Sequence, residues 1–244
     1  MPNIRGPDSD KRAVLGGVVQ FILLYGAPIW YLAMRMEKYR QILTKTQRKS
    51  LVRIISAYRT VSAEAAQVVA RMIPIDLLAA ERKYTHERSG DEALAARRRR
   101  AREITMDKWQ ERWDNIQEKA QWTKKLVPSV KDWMVLKDRR TNYFATQLLT
   151  GHGSFGSYTH RIGRTPGEEC AYCRNERDDA EHTLFLCPRW TAERQTLQAG
   201  IGEPLAIEKF VVTRNNNWRE FRKYANTVMA IKEREERKRQ QQQE

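Results

Sequence analysis

Residues 170 to 187 read CAYCRNERDDAEHTLFLC and contain every cysteine of the chain. The pattern C-x2-C-x8-H-x4-C is formed by Cys170, Cys173, His182 and Cys187. Thiolates two residues apart can bind one ion from a tight turn, and the second pair is near the i, i+4 spacing of a short helix. A closed set of four such ligands predicts a structural zinc site, which stabilises the fold instead of activating water. The alternative is three buried free cysteines beside an unrelated histidine.

The cysteines also bear on the cellular compartment. Three cysteines cannot all pair in disulfides, and their clustering is typical of metal binding rather than of a secreted scaffold. The first residues, MPNIRGP, have no apolar region directly behind Arg5 and make a poor secretory signal. We therefore expect an intracellular location, in the nucleus or the cytoplasm.

The composition predicts a basic, folded protein with a polyanionic partner. The 244 residues include 45 Lys and Arg against 30 Asp and Glu, which gives a formal net charge of +15. The apolar fraction of 41% allows a modest core, and the charged fraction of 31% indicates a heavily charged surface. The charge excess makes nucleic acid the first candidate partner and an anionic membrane surface the second.

Apolar residues recur at helical spacing through most of the chain, which predicts a mainly α fold. We expect a helical bundle, then a small zinc module, then a C-terminal helix that begins at Trp218. The expected parts are an N-terminal tail (1–12), a helical region (13–149), the zinc module (150–190) and a C-terminal helical tail (191–244). The charged segment 232–239 and the glutamines 240–243 have a composition that cannot bury a core, so we expect a frayed or disordered end.

The least polar stretch, Ala13 to Met34, is uncharged, and its 22 residues would just span the hydrocarbon layer of a membrane. Gln20 and the Gly26-Ala27-Pro28 break argue against a single span, because the break divides the stretch into pieces too short to cross. We therefore predict a buried helix, a turn and a second helix. A membrane-associated basic protein anchored by this stretch is the alternative.

A run of arginines lies in a segment with helical spacing. Its members are Arg97, Arg98, Arg99, Arg100 and Arg102. Their mutual repulsion destabilises a helix unless a polyanion relieves it, so the run is a candidate phosphate-binding face. The alternative is a solvated helix face.

Basic and aromatic residues are interleaved around the cysteines. This pattern is typical of proteins that bind single-stranded nucleic acid, because arginine contacts phosphate and an aromatic ring stacks on any base. The candidate contacts are His160, Arg161, Arg164, Tyr172, Arg174 and Arg189. For Tyr172 the alternative is packing in the small core of the zinc module, and for Trp190 we expect such packing.

No motif for catalysis is visible. GHGSFG at 151–156 matches the GxGxxG fingerprint of dinucleotide sites, but the residues before it have a helical pattern, so we interpret its glycines as turn formers and His152 as a turn residue. Asp178 and Asp179 lie in a charged loop that lacks the strand–turn–strand context needed to hold two magnesium ions. We therefore assign no catalytic residue and expect no small-molecule substrate.

Several segments together resemble the C-terminal region of the reverse-transcriptase polyprotein of non-LTR retrotransposons, in particular the Jockey-like and ribosomal-DNA-inserting groups. The segments are LLYGAPIW at 23–30, RIISAYRTVS at 53–62, IPID at 73–76 with Glu81-Arg82, TGHGSFG at 150–156 with HRIG at 160–163, and AEHTLFLCPRW at 180–190. In this order they cover most of the chain and are specific as a set.

The resemblance implies a thumb-like and linker-like helical region and a CCHC module that contacts retrotransposon RNA or target DNA. It also implies that the zinc ligands are Cys170, Cys173, His182 and Cys187. The polymerase palm with its paired aspartates and the endonuclease of the whole family protein have no counterpart in these segments, so we expect RNA or DNA binding without activity of the chain alone. The alternative is a contribution to RNA-directed DNA polymerase or endonuclease activity of a polyprotein. The eight-residue gap departs from the compact retroviral knuckle, whose base-reading mode is therefore not carried over.

Overall fold

The computed structural model describes residues 6–88, 93–138, 141–174 and 176–241. These residues form the mainly α-helical fold that the sequence predicts, with no β-strand among them beyond one isolated bridge between Glu169 and Arg177. The α-helices are α1 (Ser9–Leu23), α2 (Ala27–Trp30), α3 (Glu37–Ile54), α4 (Ala63–Ala70), α5 (Ile75–Glu87), α6 (Leu94–Asp114), α7 (Gln121–Leu126), α8 (Val130–Val135), α9 (Tyr143–Thr150), α10 (Gly156–Arg161), α11 (Thr191–Ile201) and α12 (Asn215–Gln241). Shorter helical turns are Tyr31–Arg35, His182–Leu186 and Pro188–Trp190.

Helices α1 and α2 form the helix, turn and second helix that the apolar stretch predicts. The prediction that the first helix is buried is wrong, because Arg12 and Gly16 are its only buried residues and Phe21 is 63% exposed. The Asp8 side chain accepts a hydrogen bond from the backbone N–H of Lys11 and caps the first turn of α1. Gly26 has a φ of 63°, a left-handed conformation that allows the sharp turn into α2. Gly16 faces α3, where a Cβ atom would lie 2.1 Å from Cδ1 of Ile54, so glycine allows the close approach of the two helices.

The apolar N-terminal stretch is divided between two helical segments. No single helix among the described residues is long and apolar enough to cross a membrane. Ser9–Leu23 and Ala27–Arg35 reach the required length and composition only together, and they are bent by 55° where they meet. Their outer sides carry exposed apolar side chains, Phe21, Tyr25 and Ile29 among them.

The hydrophobic core extends from the N-terminal helices to α12. Its largest fully buried side chains include Trp113, Trp133, Trp190 and Trp218. The rings of Trp133 and Trp218 meet edge to face with centroids 4.8 Å apart, which joins α8 to α12. Nε1 of Trp133 donates a hydrogen bond to the carbonyl of Val68 at 2.7 Å, so the indole N–H is satisfied inside the core.

Helix α12 is longer and more buried than the sequence predicts. It begins at Asn215, before the predicted start, and continues to Gln241, whereas residues 242–244 lie outside the described residues. The expectation that its charged end buries nothing is wrong, because Lys232 is only 3% exposed. Lys232 is buried because it has a carboxylate partner, Asp178, in the cysteine-containing region.

Candidate metal centre and its basic surroundings

The first two cysteines lie in a short loop closed by backbone hydrogen bonds. The N–H of Cys170 donates to the carbonyl of Glu176 at 2.8 Å, and the N–H of Arg174 donates to the carbonyl of Cys170 at 2.8 Å. Arg174 has a φ of 61°, a left-handed conformation in which the chain reverses directly after Cys173. The loop therefore presents both thiols from one tight turn, as their spacing predicts.

His182 and Cys187 are brought together by a π-helical turn, His182–Leu186. The N–H of Cys187 donates to the carbonyl of His182 at 2.8 Å, a hydrogen bond that spans five residues. A π-helical turn places residues five apart on one side, as an α-helix does for residues four apart. The sequence thus predicts the pairing of these two residues, but the element that pairs them is a π-turn and not an α-helix.

The loop and the π-turn bring all four candidate ligands together. One ligand atom from each of Cys170, Cys173, His182 and Cys187 lies within 4.8 Å of the other three. Sγ of Cys170 is 3.8 Å from Sγ of Cys187, and Sγ of Cys173 is 3.5 Å from Nε2 of His182. All three cysteines are free of disulfides, and only Cys173 is more than marginally exposed. This set of three thiols and one imidazole is positioned to bind one metal ion.

Glu176 orients the histidine of this centre. Its Oε2 lies 2.7 Å from Nδ1 of His182, so the carboxylate accepts a hydrogen bond from a protonated Nδ1. A proton on Nδ1 leaves a free lone pair on Nε2, the nitrogen that faces Cys173. Sequence reasoning missed Glu176, because the spacing does not distinguish it from the other acidic residues of the loop.

Burial raises the pKa of the thiols in this centre. Desolvation raises the pKa of Cys187 to about 12, and it also raises the pKa of Cys170. A cysteine binds a metal ion as the thiolate, so the ion has to displace protons that burial holds on sulfur. Metal binding at this centre is therefore coupled to proton release.

Asp178 joins the cysteine-containing region to α12. Its Oδ2 accepts a hydrogen bond from the N–H of Gly156 at 2.8 Å. Its Oδ1 lies 2.5 Å from Nζ of Lys232, and the two side chains are 9% and 3% exposed. The interpretation of Asp178 as part of a charged loop is incomplete, because this carboxylate is buried and paired. The sequence signal that could have revealed this buried pair is the position of Lys232, which lies four residues after Val228 on the buried face of α12.

The glycine-rich segment 151–156 is a turn between two helices, as predicted. Gly151 ends α9 with a φ of 69°, and the residues before it, 143–150, are helical. A Cβ atom on Gly156 would lie 2.9 Å from the carbonyl oxygen of Glu168, so glycine lets the turn lie against the residues that precede the first cysteine.

His152 lies in this turn and makes internal contacts. Its Nδ1 is 2.9 Å from Oγ1 of Thr60, and its ring lies 5.2 Å from the ring of Tyr158. Burial, with a smaller effect from nearby Arg161, lowers the pKa of His152 to about 4. The imidazole is therefore neutral at pH 7, which agrees with a structural role in the turn.

The arginine run on α6 does not form one face. The exposed members are Arg98, Arg99, Arg100 and Arg102. Arg97 is only 7% exposed, and its Nη1 donates a hydrogen bond to the carbonyl of Arg88. This burial weighs against the prediction that Arg97 contacts phosphate. A helix turns by about 100° per residue, so a continuous run must place some members against the core.

The candidate contacts near the cysteines are partly exposed and partly packed. The exposed residues are His160, Arg161, Arg164, Arg174 and Arg189. Tyr172 is half-buried; its hydroxyl donates to Oε2 of Glu235 at 2.7 Å, and its ring meets Trp190 edge to face at 5.2 Å. Tyr172 therefore packs against Trp190, as the alternative interpretation has it, and also contacts α12. These contacts weigh against its prediction as a base-stacking residue. Trp190 is fully buried, as predicted.

The chain is similar to proteins of retrotransposable elements. It is 29% identical over 211 residues to a 115 kDa protein of the type-1 retrotransposable element R1DM of Drosophila melanogaster, covering 78% of this chain and 20% of the relative. It is 29% identical over 206 residues to the retrovirus-related Pol polyprotein from type-1 retrotransposable element R1 of Bradysia coprophila, covering 76% of this chain and 20% of the relative. It is 30% identical over 207 residues to the retrovirus-related Pol polyprotein from type-1 retrotransposable element R1 4 of Nasonia vitripennis, covering 76% of this chain and 50% of the relative.

The chain thus spans from 20% to 50% of the length of these relatives. No protein-family model matches the chain, and no solved structure matches it. The resemblance carried by the ordered sequence segments is confirmed by these relatives.

Proposed function

Because the chain is homologous to a segment of the Pol polyproteins of type-1 (R1) non-LTR retrotransposable elements, we propose that it binds nucleic acid as part of such a polyprotein. The ligands are retrotransposon RNA, target DNA or both, and binding takes place in the nucleus or the cytoplasm. The observation that carries the proposal is the row of exposed arginines on α6, in a chain with a formal net charge of +15.

Three of the four exposed arginines on α6 have no counter-charge among the described residues. None of the described carboxylates forms an ion pair with Arg98, Arg99 or Arg100. Arg102 differs, because its Nη2 lies 2.7 Å from Oε1 of Glu81. These three exposed guanidinium groups concentrate positive charge on this part of α6, and phosphate groups neutralise that charge while releasing condensed counterions.

The cysteine-containing region supplies a second basic surface. Arg161 and Arg164 lie at and beyond the end of α10, and Arg174 lies in the loop between two ligands. All three are exposed. A metal ion that fixes the loop also fixes the position of Arg174, so the metal centre acts here as a scaffold for phosphate contacts.

The ion that suits this centre is zinc. Tetrahedral zinc with bonds of about 2.3 Å to sulfur and about 2.0 Å to nitrogen places two sulfurs about 3.8 Å apart, and sulfur and nitrogen about 3.5 Å apart. The distances of 3.8 Å between Cys170 and Cys187 and 3.5 Å between Cys173 and His182 agree with that geometry. Three thiolates and one imidazole fill all four positions, so the zinc has a structural role.

Replacing Arg98, Arg99 and Arg100 together with Ala is expected to weaken nucleic-acid binding and its dependence on salt. Each lost phosphate contact lowers the magnitude of the slope of log affinity against log salt by about 0.9 on a duplex and about 0.7 on a single strand. The slope of the triple variant should therefore be smaller by roughly 2 to 3. Alanine is a strong helix former, so α6 stays folded. Fluorescence anisotropy with labelled oligonucleotides at several salt concentrations measures both quantities.

The matched control removes the same charge from exposed positions outside α6. It replaces Lys49, Arg53 and Arg59 with Ala. We expect this control to change the salt slope by less than about 1. Equal losses of affinity and of salt slope in the two triple variants would mean that total charge, and not the exposed arginines on α6, determines binding.

A further inference from the structure

Among the described residues, the exposed apolar side chains are concentrated in the N-terminal helices. Eleven of the fourteen large apolar side chains that are exposed in the described part of the chain lie between Val14 and Ile42, and we call this region the N-terminal apolar surface. Full burial of a large apolar side chain removes on the order of 100 Å² from water, so these partly exposed side chains present roughly 700 Å². A standard interface takes about 800 Å² from each partner. The surface is therefore large enough for a specific protein interface.

Helix α1 supplies a seam in this surface that suits a partner helix. Val14, Val18, Phe21 and Tyr25, the last in the turn after α1, are 52% to 79% exposed. Their spacing of four, three and four residues is that of a helix–helix seam. Gly17 lies in the same seam, and a Cβ atom there would meet no atom within 4 Å. The missing side chain leaves a gap on the outer side of α1, into which a neighbouring helix can place a side chain.

We propose that a second copy of this chain covers the N-terminal apolar surface, with the two α1 helices antiparallel about a two-fold axis between Gly17 and Val18. In this pairing Phe21 of each copy faces Val14 of the other, and Val18 faces Gly17. Each larger side chain thus meets a smaller one, and the seam is complementary to itself, as a two-fold interface requires. The Tyr25 hydroxyl of one copy faces the Asp10 carboxylate of the other, which pairs a donor with an acceptor.

The charge pattern is compatible with a second copy. No charged residue lies between Arg12 and Arg35, so two copies of the seam can meet without like-charge repulsion, although the chain as a whole has a formal net charge of +15. A lipid bilayer is the other apolar environment that would cover this surface. Its acyl chains do not need a gap at Gly17 to pack against α1. A helix of the same sequence fills that gap.

Sedimentation analysis of the full, zinc-loaded chain, freed of nucleic acid by nuclease and high salt, tests the proposal. We expect a reversible monomer–dimer equilibrium at micromolar concentration. Gly17→Leu should raise the dimer Kd at least about tenfold. Its monomer should stay folded by circular dichroism, because position 17 is open and leucine is a better helix former than glycine. The control Val135→Asp changes an equally exposed apolar residue outside the surface and should leave the Kd unchanged.

A charge exchange tests the antiparallel register. Val14→Lys and Phe21→Glu should each raise the Kd at least about tenfold, because each places a charge against an apolar side chain. An equimolar mixture should recover a dimer of near wild-type affinity, because the introduced lysine of one copy then faces the introduced glutamate of the other. A wild-type chain that stays monomeric, a dimer indifferent to Gly17→Leu, or a mixture that does not recover would overturn the proposal. Co-sedimentation with phosphatidylcholine vesicles instead of dimer formation would overturn it in favour of a membrane.

Discussion

His182→Ala is expected to abolish stoichiometric zinc binding and to unfold the segment from Cys170 to Trp190. The variant leaves three thiols and an open fourth position, so the ion loses its closed coordination. Structural zinc contributes about 10 to 16 kcal/mol in small zinc-dependent folds, which is as much as the whole stability of a typical domain. Elemental analysis measures the metal content, and hydrogen exchange of the backbone amides measures the loss of structure.

Two further variants separate loss of the ligand from loss of a histidine. His160→Ala removes an exposed histidine outside the ligand set and should keep one zinc per chain with unchanged amide protection. His182→Cys restores a closed set of four ligands and should recover zinc binding, because structural sites accept four cysteines. Full zinc content in His182→Ala would show that the four residues do not form the site.

Lys232→Met is expected to lower the free energy of unfolding by about 3 to 5 kcal/mol. The substitution keeps the length and apolar stem of the side chain but leaves the buried Asp178 carboxylate without its cation, 2.5 Å away in the wild-type chain. The N–H of Gly156 still satisfies Oδ2, whereas Oδ1 keeps only a long hydrogen bond of 3.4 Å from the Thr183 hydroxyl. Chemical denaturation of the zinc-loaded protein at neutral pH measures the effect.

An exposed lysine on the same helix provides the control. Lys223 is 67% exposed and pairs with Glu220 at 2.9 Å, so Lys223→Met should cost no more than about 1 kcal/mol. Combining Lys232→Met with Asp178→Asn should recover part of the lost stability, because no unpaired charge then remains in the interior. Equal costs for the two lysine substitutions would mean that the buried pair does not hold α12 to the metal-binding region.

The four candidate ligands could be predicted from sequence because their pattern is local and distinctive. The chain's three cysteines and His182 fall within 18 residues, at spacings that a loop and a helical turn can satisfy. The mainly α fold was predictable for a similar reason, since helical periodicity is a local signal. Glu176 was not predictable, because any acidic residue of the loop could have oriented His182.

The packing around the centre could not be read from the sequence, because it depends on contacts between distant segments. Asp178 and Lys232 are 54 residues apart, and only the folded chain shows that α12 crosses the metal-binding region. Tyr172 lies against the same helix, a contact that favours packing over base stacking and that the sequence does not reveal. Arg97 illustrates the other limit, since the composition of a run does not reveal which of its members faces the core.

The measurement that tests nucleic-acid binding most directly is the affinity of the zinc-loaded chain for labelled single-stranded RNA and duplex DNA across a range of salt concentrations. We expect log affinity to fall linearly with log salt, by about 0.7 for each phosphate contact on the single strand and about 0.9 on the duplex. Absence of binding at low salt, or an affinity that does not change with salt, would contradict the proposal that exposed arginines bind a phosphate backbone.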